Sequence, residues 1–227
     1  MSDDWVSLVL VALVLVLSAW MLSRPQHNAG QGSLNRQSPQ DPSASARAGH
    51  CKAIVTESLT PTQKKLHAHL PLKAGVRPIC LAGNVLLDSP TSRTFAEAAI
   101  DIVVDLIAVS DLFLLFHVQS EADKRDILHA VSQVPQFTWH PATQTGLQVH
   151  KILFCSTVAG NIALVRQIEP VVHVEGNQDV AIGLRPFLPS IVFLGTGGAL
   201  PPSTSSTARD SIQLHPSLEA YYTSITA

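Results

Sequence analysis

One apolar run near the start of the chain limits its possible folds more than any other feature. Trp5–Leu22 contains eighteen residues, of which only Ser7 and Ser18 are polar. As a helix rising ~1.5 Å per residue, the run would reach about 27 Å, which is enough to cross a thin bilayer. A lone segment in lipid must satisfy its own backbone polar groups, and a helix does so. The run therefore predicts a transmembrane anchor within residues 1–22.

Two other interpretations of the run are weaker. A cleaved signal peptide needs a positive N-terminal region, whereas Asp3 and Asp4 precede this run. A buried core helix is disfavoured because globular helices rarely lack every charge over such a length. Arg24 and Arg36 follow the run, and positive flanks stay on the cytosolic side of a membrane. We therefore expect the rest of the chain to face the cytosol.

The charges set the following segment apart. The 227 residues carry 15 Lys and Arg against 17 Asp and Glu, a balance that gives no electrostatic case for binding nucleic acid. Residues 23–75 hold seven bases and two acids, and Leu34 is the only large apolar residue between 23 and 49. Such a composition predicts a flexible basic linker over 23–75. Within it, Thr60-Pro61-Thr62-Gln63 could start a short helix through Leu70.

Residues 76–195 alternate short apolar runs with amphipathic stretches of helical length. Ile100, Val103 and Ile107 form a stripe at helical spacing. This alternation predicts an α/β domain with a Rossmann-like, mainly parallel sheet and helices on both faces. The predicted strands are Ile79–Leu87, Leu112–Val118, Lys151–Cys155, Val171–Val174 and Ile191–Leu194, and the predicted helices are Thr94–Val109, Glu121–Val134, Val158–Ile168 and Gln178–Leu188.

The residues after the last predicted strand give a weak motif and then a polar segment. Gly195-Thr196-Gly197-Gly198 resembles the start of a dinucleotide fingerprint. However, Leu200 replaces the third glycine, and Pro201-Pro202 prevent the helix that would hold a pyrophosphate, so a loop is the better interpretation. Residues 200–216 are rich in Pro, Ser and Thr, and we predict a disordered C-terminal tail over 196–227.

The best sign of an enzyme is Asp88 after the first predicted strand, together with Ser156-Thr157 after the third. This arrangement resembles that of haloacid-dehalogenase-like phosphatases, whose chemistry needs a second acid where this chain has Pro90. An N-cap explains Ser156 or Thr157 equally well. We therefore expect no catalytic residue, and a membrane-tethered hydrolase or nucleotide-binding enzyme is the alternative hypothesis.

Cysteine, histidine and arginine residues indicate no ligand site. The three cysteines form no CxxC motif, and Cys155, at the end of a strand, is expected to be an inert core thiol. The ten histidines include no HExxH motif, and local hydrogen bonding would satisfy His173. Arg166 could bind a phosphate or pair with Glu169. We therefore expect neither a metal nor a cofactor.

One stretch of the chain resembles a known family. Lys151–Thr157 and Leu164–Pro170 are similar to the most distinctive stretch of the peroxisome biogenesis protein 22 (peroxin-22) family in its plant form. The similar segments further upstream are Gly83–Leu87, Ala98–Leu106 and Asp111–Leu114. Arg185-Pro186 and Leu188-Pro189 depart from the family, which continues there as a helix.

The resemblance implies a function that the residues alone do not give. Members of this family are anchored in the peroxisomal membrane by an N-terminal span. Their cytosolic Rossmann-like domain docks a ubiquitin-conjugating enzyme, peroxin-4, which modifies the cycling import receptor so that the receptor can be recycled. The resemblance thus implies a recruiter and activator of that enzyme, with no small-molecule substrate.

The connection Pro135–His150 is the candidate docking surface. Its length of about sixteen residues is unusual for a compact α/β unit and suggests a function or disorder. Phe137 and Trp139 lie within it, and aromatic anchors carry much of the binding energy in protein interfaces. The other interpretation is that both rings fold back onto the domain, because two exposed rings without a partner are unfavourable.

Overall fold

All strands of the sheet run parallel in the part of the chain that the structure, a computed structural model, describes: residues 56–89, 92–195 and 212–227. The strands are β1 (Pro78–Ala82), β2 (Asp111–His117), β3 (Ile152–Cys155), β4 (Val172–Glu175), β5 (Ile191–Leu194) and β6 (Ile212–His215). The helices are α1 (Pro61–His69), α2 (Glu97–Val109), α3 (Glu121–Ser132), α4 (Val158–Ile168), α5 (Gln178–Leu184) and α6 (Leu218–Thr226). Short 3-10 helices cover Thr56–Ser58, Gly83–Val85, Pro135–Phe137 and Val149–Lys151.

The strand order is β3-β2-β1-β4-β5-β6, so the chain starts in the centre and winds outward in both directions. Helices α1, α2, α3 and α6 contribute apolar residues to the core on one face of the sheet. Helices α4 and α5 cover the other face. The α/β class with a parallel sheet covered on both faces is therefore confirmed. The order reverses between β1 and β4, which makes this pair the topological switch point.

The first strand is shorter than predicted. β1 ends at Ala82, and Gly83–Val85 form a 3-10 turn instead of continuing the strand. A Cβ atom at Gly83 would lie 2.0 Å from Cδ1 of Phe116, so the β2 side chain occupies the space beside this glycine. The next helix begins at Glu97 rather than Thr94 because Phe95 first forms a bridge with Leu87.

The predicted disordered tail is wrong for residues 212–227, which form β6 and α6. The Ser217 hydroxyl caps α6 by accepting a hydrogen bond from the backbone N–H of Ala220 at 3.1 Å. Leu218, Tyr221 and Ile225 are buried at helical spacing, so burial of this apolar face stabilises the helix. Residues 196–211 lie outside the described part.

The predicted linker over 23–75 is also too long, because its last part is structured. The short helix expected after Thr60 is present as α1, with a capping box between Thr60 and Gln63. Leu66 and Leu70 are buried, and Gln63 Nε2 donates to Asp105 Oδ1 at 2.8 Å. These contacts join α1 to α2, so the ordered domain begins before residue 76.

The transmembrane prediction concerns residues 1–22, which lie outside the described part together with the rest of the chain up to residue 55. Among the helices that the structure describes, none is long and apolar enough to cross a membrane.

Candidate functional site

Two loops meet at the switch point of the sheet. Asn84 lies in the turn after β1, and Glu175-Gly176-Asn177 connects β4 to α5. Open α/β sheets bind their ligands in the crevice beyond the carboxyl ends of the strands at such a point. A substrate or cofactor of this domain would therefore be expected here.

The Glu175 carboxylate fills this position itself. The side chain is 1% exposed, and Oε1 accepts hydrogen bonds from the backbone N–H groups of Gly176 and Asn177, both at 2.8 Å. Asn84 Nδ2 lies 3.4 Å from the same oxygen. The backbone amides that could hold a ligand anion are thus bound to a carboxylate of the chain.

His173 supports Glu175 from within the sheet. Its ring is 0% exposed, with Nδ1 3.2 Å from the Cys80 carbonyl oxygen and Nε2 3.3 Å from Glu175 Oε2. A carbonyl oxygen only accepts, so Nδ1 carries a proton. Nε2 and Oε2 are within hydrogen-bond distance of each other, so the two buried side chains are partners. The cluster links β1 to β4 and satisfies its own polar atoms.

The end of β1 carries no acid. Ala82, Gly83 and Asn84 stand where a nucleophilic carboxylate would be needed. Asp88, the acid that the sequence suggested, lies six residues beyond the strand and is exposed, and its backbone N–H donates to the Thr94 carbonyl at 3.1 Å. Phosphoryl-transfer chemistry with a divalent cation needs converging carboxylates. The described residues of the switch point do not fit such a cation, since Glu175 is the one acid there and its oxygens are already bonded.

The end of β3 contains capping and core residues. Thr157 Oγ1 accepts from the backbone N–H of Gly160 at 3.0 Å, so the N-cap interpretation is confirmed for Thr157. Cys155 is buried as expected, and burial, assisted by the negative charge of Glu175, raises the pKa of its thiol. The same causes hold the pKa of the Cys80 thiol far above its ordinary range. Thiols of this kind remain protonated and are poor nucleophiles.

The connection over residues 135–150 is folded rather than disordered. Phe137 is 2% exposed and meets Phe95 edge-on, with 5.4 Å between ring centroids, so the structure places its ring in the core. Trp139 is partly exposed. Gly146 has φ +91°, and a Cβ atom there would lie 2.0 Å from the Thr138 carbonyl oxygen, so this turn requires glycine. Of the two aromatic residues predicted to contact a partner, Trp139 alone presents surface.

A groove that was not predicted lies at the end of the sheet where the strands begin, opposite the switch point. The Arg166 guanidinium carbon lies 3.9 Å from the ring centroid of Phe187, which follows α5. Glu169 Oε2 accepts from Lys73 Nζ at 2.8 Å. The groove has a volume of about 480 Å³, and Pro170 and Pro189 complete its walls. The two proline interruptions, Arg185-Pro186 and Leu188-Pro189, are the signal in the sequence that could have indicated it.

Comparisons with known proteins identify the family of this fold. Residues 71–214 match the family described as peroxisome biogenesis protein 22, haloacid dehydrogenase-like domain. A peroxisome biogenesis protein 22 from Arabidopsis thaliana is 27% identical over 123 residues, which cover 52% of this chain and 42% of that protein. The chain thus spans less than half of the length of this curated relative. The family match extends over the whole sheet, from β1 into β6, and we conclude that the chain belongs to the peroxisome biogenesis protein 22 family, a membership that supports a role in peroxisome biogenesis.

Proposed function

We propose that the chain is a non-catalytic membrane anchor that recruits and activates the ubiquitin-conjugating enzyme peroxin-4 at the peroxisomal membrane. The enzyme would then ubiquitinate the cycling import receptor, so that the receptor can be extracted and used again for matrix protein import. One observation carries the non-catalytic part of the proposal: the Glu175 carboxylate occupies the position where a domain of this topology would bind its ligand.

The surroundings of Glu175 make its displacement costly. A ligand at the switch point would have to break two backbone hydrogen bonds and separate the carboxylate from His173. Leaving a buried hydrogen-bonding group without its partner costs about 1–3 kcal/mol. A domain with this arrangement is better suited to present its surface to a protein than to turn over a substrate.

Anchoring supports the recruiting role. Trp5–Leu22 provides the proposed span, and residues 23–55 separate it from the described domain. The composition of these residues predicts a flexible linker, and a coil of that length would have an end-to-end distance of roughly 30 Å. Holding a partner within such a distance gives effective concentrations near the millimolar range, so even moderate affinity would keep the enzyme at the membrane.

A binding measurement on the full-length chain tests this proposal. The chain is purified in detergent micelles and titrated with the conjugating enzyme of the same organism in a calorimeter. We expect saturable binding with one site per chain and no binding to a ubiquitin-conjugating enzyme of another pathway. Equal binding of both enzymes, or of neither, would contradict the proposed recruitment.

A further inference from the structure

We infer that the conjugating enzyme docks on the amino edge of the sheet, which is the end where the parallel strands begin, opposite the switch point. The enzyme would contact this edge with an acidic surface that carries an apolar side chain. This inference rests on the proposed function and assigns the surface that performs it. The amino-edge surface consists of Leu72, Trp139, Val149, Arg166 and Phe187. All of these residues lie at or near connections that lead into the start of a parallel strand, and such connections meet at one edge.

Exposed apolar side chains are concentrated on this edge. Five large apolar side chains are exposed in the part of the chain that the structure describes, and three belong to the amino-edge surface. Val149 is 71% exposed, Leu72 57% and Phe187 52%. The other two, Val158 and Leu214, lie at the start of α4 and on strand β6. Most of the large apolar side chains that are exposed among the described residues thus belong to this edge.

The part of the surface around Phe187 is preformed. The Phe187 N–H donates to the Leu184 carbonyl at 2.9 Å, which fixes the residue to the last turn of α5. Arg166 covers one face of the ring, and Pro186 and Pro189 restrict the backbone on either side. Binding to such a surface loses little conformational entropy, and aromatic and arginine side chains are enriched among the residues that dominate interface energies.

The charge of the edge determines the kind of partner. The connections that lead into β1 to β5, taken together with Arg166 near the end of α4 and Asp111 at the start of β2, contain five basic residues and two acidic ones among their described residues. The bases are Lys73, Arg77, Lys151, Arg166 and Arg185, and the acids are Asp111 and Glu169. Both acids are paired with one of these bases, Glu169 with Lys73 and Asp111 with Lys151. The net positive charge therefore favours an acidic partner surface.

One partner can reach the whole surface. Trp139 and Val149 precede β3, whereas Phe187 precedes β5, which is four strand positions away in the sheet. At ~4.8 Å per strand this separation is about 19 Å. An interface of standard size covers about 800 Å² on each partner, which is wide enough to include both ends.

Paired substitutions in the full-length chain, measured by calorimetry against the conjugating enzyme, test the inference. Phe187→Ala and Arg166→Glu change the part of the amino-edge surface around Phe187. Val158→Ala and Arg125→Glu are matched controls, because Val158 is exposed at the opposite edge and Arg125 is exposed on α3. We expect about a 30-fold increase in Kd for each of the first two variants and less than a twofold change for the controls. Wild-type affinity should fall as the salt concentration rises.

The possible results distinguish the proposed recruiting function from the assignment of the docking surface. Wild-type affinity in both the Phe187→Ala and the Arg166→Glu variant would overturn the surface assignment and leave the recruiting function intact. Absence of binding by the wild type would overturn both. If Phe187→Ala lowers the melting temperature, its loss of affinity could come from unfolding, and the Val149→Asp variant is then measured instead. The Val149 side chain is 71% exposed and can change without loss of folding. Unchanged affinity of Val149→Asp would then exclude the edge, and affinity independent of salt would exclude an acidic partner surface.

Discussion

Nε2 of His173 lies 3.3 Å from Oε2 of Glu175, and both side chains are buried in the middle of the parallel sheet. The two residues are two positions apart on β4, so their side chains point to the same face. The pair lies beside the Cys80 carbonyl of β1, at the point where the strand order reverses. The backbone amides at the switch point are thus bonded to a side chain of the protein itself.

Replacing Glu175 should therefore affect stability strongly. We expect Glu175→Ala to lower the free energy of unfolding by about 3 kcal/mol or more, because His173 and the Gly176 and Asn177 amides lose their acceptor. Glu175→Gln should cost less, since an amide can still accept from the backbone and donate to the ring. Denaturant unfolding measures both, with exposed Glu121→Ala as the control. Equal stability of the Glu175→Ala and Glu121→Ala variants would contradict the role of the pair.

The two aromatic residues of the connection before β3 should behave differently from each other. Phe137→Ala removes a buried ring that contacts Phe95, and we expect a loss of about 3–5 kcal/mol in the free energy of unfolding. Trp139→Ala should leave the melting temperature nearly unchanged and weaken binding of the conjugating enzyme. Melting curves and calorimetry on each variant separate these effects. A stable Phe137→Ala variant would show that the ring is not part of the core.

The pH dependence of Asp123 gives a local test of the structure. The Arg93 guanidinium donates to its carboxylate at 2.7 Å, and the backbone N–H of Gln119 donates as well, so the pKa of Asp123 lies below its ordinary value. A depressed pKa means that the stabilisation is present above the ordinary pKa of the carboxyl and is lost as the pH falls through the depressed one. In an NMR titration, Arg93→Ala should raise the midpoint of Asp123 toward its ordinary value. An unchanged midpoint would show that the ion pair does not form in solution.

Phosphatase assays on the full-length chain test the non-catalytic part of the proposal. We expect no turnover of phosphate monoesters with magnesium present, because the end of β1 offers Ala82, Gly83 and Asn84 in place of a nucleophilic acid. Asp88→Asn serves as the control for a contaminating activity. Turnover in the wild type that Asp88→Asn abolishes would restore the hydrolase hypothesis.

Local signals in the sequence were sufficient to predict several helices and strands. Val158–Ile168 and Ile191–Leu194 were predicted with the boundaries that the structure shows. Thr157 caps the first of them, and capping is a local interaction that a sequence reveals directly. For α6 the sequence contained the same kind of signal, namely the capping residue Ser217 and the apolar residues Leu218 and Tyr221 at helical spacing. The polar composition of the residues before this helix obscured that signal.

The remaining features depend on tertiary contacts that a sequence does not show. β1 ends early because Phe116, from the neighbouring strand, occupies the space beside Gly83. The His173 and Glu175 side chains alternate with valines, a pattern that equally describes a half-exposed strand, and only their place next to β1 shows that they are buried. The groove at Phe187 likewise forms from α4, the connection between α5 and β5, and Lys73 before β1, and Lys73 is far from the other two in the chain.

Flotation of vesicles tests the central claim most directly. The full-length chain is reconstituted into liposomes, mixed with the conjugating enzyme and centrifuged through a density gradient, with protein-free liposomes and a Leu13→Arg variant as controls. An arginine at the centre of the proposed span costs about 2.5–3.5 kcal/mol and should reduce insertion. We expect the wild-type chain and the enzyme to float together, whereas the enzyme stays at the bottom with protein-free liposomes. A chain that floats while the enzyme stays at the bottom would contradict recruitment, and a chain that fails to float would contradict the anchor.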